Sequence, residues 1–136
     1  MSRFSRAAGR IIVLALVVMA GVAPSLSAPR LQAGPYTLVL RADPPVIPVG
    51  SADLYIAVTD SAGQPLNGLS VGVLARMPDM SMGEREETAR PTQTPGEYRV
   101  TARFGMAGAY DVTISVKGQA GQGTATVHAS TGAPLG

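Results

Sequence analysis

From residue 36 onward, apolar and polar residues alternate in short runs. Tyr36, Leu38 and Leu40 are spaced by Thr37, Val39 and Arg41. Leu54, Ile56 and Val58 are spaced by Tyr55, Ala57 and Thr59. Leu69, Val71, Val73 and Ala75 share one face, as do Tyr98, Val100, Ala102 and Phe104. The cleanest run is Tyr110, Val112, Ile114 and Val116 against Asp111, Thr113, Ser115 and Lys117, and Ala125 and Val127 continue the pattern. Period two with one apolar face marks a half-buried antiparallel strand. A weaker, polar strand is expected over Glu84 to Arg90. Turn chemistry fills the gaps: Asp43-Pro44-Pro45, Pro48-Val49-Gly50, Asp60-Ser61-Ala62-Gly63, Asn67-Gly68, Pro95-Gly96 and the glycines 105, 108, 118, 121 and 123. About seven short strands without a helical stretch predict an all-β fold, an immunoglobulin-like antiparallel β-sandwich over residues 34–130. Residues 131–136 are small, polar or Gly/Pro, and are expected to be a disordered tail.

The front of the chain follows another pattern. Arg3, Arg6 and Arg10 precede an apolar run from Ile11 to Ala23, and small residues surround Ser25, Ser27 and Ala28. That order predicts a secretory signal peptide over residues 1–28. The run is shorter than the ~20 residues of a membrane-spanning helix, and Pro24 ends it. A retained signal-anchor is the alternative, because Pro29 makes the Ala28 site imperfect. The expected location is therefore periplasmic or extracellular, with membrane attachment only through an uncleaved leader.

Removing the leader changes the charge. The chain has 11 basic and 9 acidic residues, and three of the basic ones are leader arginines. What remains is close to neutral, so a nucleic-acid partner is excluded. Cysteine is absent, which rules out disulfides, thiolate metal sites and a lipid-bearing cysteine. Aromatics make up 4%, so Val, Leu, Ile and Ala must build the core.

Catalytic equipment is scarce. There is one histidine, His128, and no serine in a nucleophile-elbow setting. Glu84, Glu86 and Glu87 read as a solvated strand edge that discourages sheet-to-sheet pairing. The expectation is a protein that is not an enzyme. The methionines stand apart. Outside the leader they fall at Met77, Met80 and Met82, and at Met106. The third, fifth and seventh predicted strands run toward the same end. Topology thus brings Met77, Met80, Met82, Met106 and His128 into one neighbourhood. Thioethers are soft, neutral ligands, and several with an imidazole suit Cu(I) where thiols are absent. The competing reading is structural: Met77 and Met106 share the parity of core residues and would plug the end of the sandwich, while His128 has the parity opposite to Val127 and would face solvent.

At these residues the sequence resembles the YtkA-like domain family, itself similar to FixH-like exported domains. The marks are Pro48-Val49-Gly50, the segment Val58 to Gly68, Met77-Pro78-Asp79-Met80-Ser81-Met82, Pro95-Gly96-Glu97-Tyr98, and Met106-Ala107-Gly108-Ala109-Tyr110-Asp111-Val112. The resemblance covers approximately Tyr36 to Val116. It implies an extracytoplasmic sandwich, and related domains occur in copper-handling and respiratory-oxidase assembly settings. Relatives often place a histidine beside the methionine loop, whereas here the one candidate is His128. The combined expectation is an exported, non-enzymatic module that binds or delivers copper, Cu(I) before Cu(II). Met77, Met80, Met82, Met106 and His128 would be the ligands, and a copper-handling or oxidase-assembly protein the partner. The alternative is a metal-free protein-interaction domain of an extracytoplasmic assembly.

Overall fold

In the computed structural model the described residues are 28–78, 80 and 85–136. Residues 1–27 lie outside them, and so does the reading of that stretch as a signal peptide. Among the described residues no helix is long and apolar enough to cross a membrane.

The strands are β1 (Arg30–Ala33), β2 (Tyr36–Asp43), β3 (Gly50–Thr59), β4 (Ser70–Arg76), β5 (Glu87–Thr88), β6 (Arg90–Pro91), β7 (Glu97–Phe104), β8 (Ala109–Gly118) and β9 (Gly121–Ser130). They form two antiparallel sheets, one in the order β1-β2-β3-β7-β6 and the other β5-β4-β8-β9. The all-β sandwich expected from the alternation is what the chain adopts, with nine strands where seven were anticipated. One added strand is β1, which pairs with β2. The other arises because the polar segment near residue 88 serves both sheets. Glu87 and Thr88 pair with β4, Arg90 and Pro91 pair with β7, and the chain crosses between the sheets at buried Ala89. The Ala89 N–H donates to the carbonyl of Val71 at 2.8 Å.

Alternation explains the core. Tyr36, Leu38 and Leu40, then Leu54, Ile56 and Val58, then Tyr98, Val100 and Phe104 face inward from one sheet. Val71, Val73, Val112, Ile114, Val116 and Val127 meet them from the other, and all are buried. No polar or charged residue among those described is buried, so apolar packing dominates the core, and the hydroxyls of Tyr36, Tyr98 and Tyr110 reach backbone carbonyls at its edges. Asp60 keeps to its turn, its Oδ1 accepting the N–H groups of Ala62 and Gln64.

Antiparallel pairing of Gly50 with Phe104 and of Arg76 with Asp111 sets which connections share an end. The loop after β2, the loop after β4, the β7–β8 turn and the segment after β9 all lie there. Residues 131–136, expected to be disordered, are docked at this end instead. Ile47 donates its N–H to Ala133 O at 2.9 Å, Gly132 donates to Ile47 O at 2.7 Å, and Thr131 donates to Gly108 O at 3.0 Å. Leu135 and Ile47 are buried. The composition suggested disorder because it is poor in apolar residues, yet burial of Leu135 together with these backbone hydrogen bonds seats the segment.

Candidate functional site: the methionine-bearing end

Strand β4 stops at Arg76, just before Pro78, whose ring nitrogen has no N–H to offer a ladder. Met77 keeps the inward parity of Val71, Val73 and Ala75. It is partly buried and packs against the core. Its methyl group rests on Gly108, where an added Cβ would lie 2.6 Å from Met77 Cε. Gly108 also has φ +145°, so glycine serves both the turn and the seat for the methionine. The chain then turns, and the Met80 N–H donates to Met77 O at 3.2 Å.

The β7–β8 turn is fixed from within. Tyr110 Oη accepts the Met106 N–H at 3.0 Å and donates to Met106 O at 2.8 Å. Such a tyrosine, at the start of β8 and bonding backbone four residues upstream, has the arrangement of the tyrosine corner of immunoglobulin-like sandwiches. The Tyr110 ring stands edge-on to Phe104, with centroids 5.0 Å apart and an interplanar angle of 88°. Thr131 Oγ1 accepts the Gly108 N–H at 2.9 Å. With its backbone held this way, Met106 is 44% exposed.

The structure therefore places Met77 against the turn that carries Met106, and places Met80 one turn away from Met77. Met82 lies outside the described residues. His128 is on the other side of its sheet: Val127 and Ala129 point inward, while His128 Nδ1 is 2.7 Å from Asp111 Oδ1 with its side chain 81% exposed. Arg76, Asp111 and His128 form one outward row across β4, β8 and β9. The structure does not bring His128 to the inward-facing Met77. The separation follows from strand parity, because one step along β9 changes face.

Among the described residues, the exposed large hydrophobics are Val46, Val49, Met80 and Met106, and all four belong to this end. Val46 and Val49 were overlooked in the sequence because the surrounding prolines mark a turn. The usable signal was the apolar spacing in Val46-Ile47-Pro48-Val49, in which Ile47 is the residue that goes inside. Among the described residues no three His, Asp or Glu side chains gather as a metal-binding group.

Comparison with known proteins gives two results. The sequence pattern described as YtkA-like matches residues 30–115, from β1 into β8. A comparison with curated proteins finds no match.

Proposed function

We propose that this chain, which belongs to the YtkA-like family, is an exported, non-enzymatic binding module that takes up Cu(I) on the thioethers at one end of its sandwich. The observation that carries the proposal is the exposure of Met80 and Met106, 41% and 44%, at the end where Met77 also sits. Methionine seldom needs to face water, and its sulfur is a soft donor suited to Cu(I) in a chain without thiols. What supports the sulfurs as donors is that Met77, Met80 and Met106 share the end, with Met82 two residues after Met80 in the sequence. His128 is left out of the proposed ligand set because it is engaged with Asp111 on the outer face. Cu(I) held by neutral thioethers would be bound loosely enough to be handed on, which fits delivery to a copper-handling or respiratory-oxidase assembly protein.

Titration of the chain with Cu(I), beside Met80→Leu/Met106→Leu and His128→Ala, tests this. Saturable binding should weaken by about tenfold or more in the double methionine variant, the loss expected for about 1.4 kcal/mol per step of ten. It should stay unchanged in His128→Ala. Met→Leu keeps volume, so the fold should survive. Absence of saturable binding would sink the copper reading.

A second reading rests on Val46 and Val49. Their exposure, 49% and 58%, extends the methionine surface with residues that ligate nothing, as an apolar docking end would. That reading holds if a copper-handling or oxidase-assembly partner binds equally well with a Cu(I) chelator present and weakens on Val49→Ser.

A further inference from the structure

The outer face of the five-stranded sheet carries a row of arginines. Register pairs Arg41 with Tyr55, Tyr55 with Arg99, and Arg99 with Arg90. These four residues sit side by side on β2, β3, β7 and β6. Each is flanked along its strand by buried residues, Leu40, Leu54, Ile56, Tyr98, Val100 and Ala89, so each points outward. At ~4.8 Å per strand the row is about 14 Å long.

Its members are not equivalent. The Arg41 guanidinium lies 3.8 Å above the centre of the Tyr55 ring, and its Nη2 is 3.5 Å from Glu97 Oε2. Glu97 Oε1 accepts the Thr92 hydroxyl at 2.8 Å. The carboxylate nearest the row is therefore already committed to Arg41 and Thr92. Asp53, on the same face, accepts the Thr101 hydroxyl at 2.8 Å. Among the described residues the ion pairs are Arg41 with Glu97 and His128 with Asp111. Arg90 and Arg99 enter neither, although they are directly opposed. Like charges so placed destabilise a sheet. They also line an open hollow together with Tyr55, Thr92, Glu97 and Glu87, and Glu87 forms no ion pair with either arginine among the described residues.

We infer that the Arg90–Arg99 pair, in the hollow beside Tyr55, is a binding site for a phosphate group. Two guanidinium forks on neighbouring strands offer more donors than a carboxylate's two oxygens can use. A tetrahedral phosphate has oxygens for both forks, and its charge relieves the repulsion between them. The phosphate can belong to a soluble compound or to a phospholipid headgroup, since the same oxygens are presented. The hollow lies on the outer face of a sheet rather than at the methionine end. Success or failure here is therefore independent of copper.

The test follows the arginine side-chain N–H resonances of the isotopically labelled chain during titration with inorganic phosphate. In parallel, flotation with phosphatidylglycerol vesicles measures headgroup binding. Arg90→Gln and Arg99→Gln are the variants, and Arg76→Gln, on the other sheet, is the control for bulk charge. All three residues are exposed, so circular dichroism should show an intact fold. Saturable shifts at Arg90 and Arg99, lost or about tenfold weaker in their variants and kept in Arg76→Gln, support the site and point to a soluble phosphate. Vesicle capture with the same variant dependence supports it and points to a headgroup. Failure of both probes to bind overturns the inference, as does wild-type binding by Arg90→Gln and Arg99→Gln, or an equal loss in Arg76→Gln.

Discussion

Tyr110 shows how one side chain can govern a turn. Its ring packs edge-on to Phe104, and its hydroxyl satisfies both the N–H and the C=O of Met106. The tyrosine thus ties the core to the residue that carries an exposed thioether. Tyr110→Phe keeps the ring and removes the two hydrogen bonds. Each is worth about 0.5–1.5 kcal/mol net, and water can reach this turn to replace part of the loss. Urea unfolding should show the variant less stable by about 1–2 kcal/mol, with Met106 amide protection against hydrogen exchange reduced. An unchanged midpoint would mean the ring alone holds the turn. The alternation announced Tyr110 as a core residue. Its hydroxyl contact was not legible, because it depends on how β7 and β8 join in space. His128 is the converse case: its outward parity was readable, but its partner Asp111 became visible only with the β8–β9 register.

At the scale of elements, the closure between β1 and β9 depends on a glycine. A Cβ on Gly123 would stand 2.3 Å from the carbonyl carbon of Ala33 and 2.4 Å from its oxygen. Backbone cannot step aside as a flexible side chain can. Gly123→Ala should therefore cost more than about 2 kcal/mol, in the range of strong steric conflicts. Gly105→Ala, with nothing within 4 Å of its added Cβ, should be near neutral. Comparing the two by chemical denaturation checks the contact, and equal midpoints would remove it. By residue type alone Gly118, Gly121 and Gly123 all read as turn glycines. In the fold, Gly118 and Gly121 frame the β8–β9 turn, and Gly123 lies within β9. Glycine signals a place where backbone comes close, without saying what approaches.

For the whole molecule, the segment after β9 works as a lid on the sandwich. It joins the loop after β2 through Ile47 and the β7–β8 turn through Thr131, and it buries Leu135. A chain ending at Ser130 keeps every strand pairing but exposes Ile47 to water. Burial of one leucine contributes about 1.5–3 kcal/mol. Thermal or urea unfolding should find the shortened chain destabilised by about that amount and still cooperative. No loss would show that the segment only rests on the surface. Because the same lid borders the turn carrying Met106, truncation should also weaken Cu(I) uptake if that turn must be rigid.

The alternation of residues by itself determined which side of each long strand faces the core, since a period of two leaves no other assignment for Tyr110 to Val116 or Leu54 to Val58. Together with the antiparallel order, it also determined that the loops bearing Met77 and Met106 share an end. Tertiary structure decided the rest. It divided residues 87–91 between two sheets, seated residues 131–136, gave His128 the partner Asp111, and lined up Arg41, Tyr55, Arg99 and Arg90. The physical reason is common to all four. Each depends on contacts between residues distant in the chain, set by sheet register and by which gaps remain when the two sheets close. Local periodicity carries no record of either.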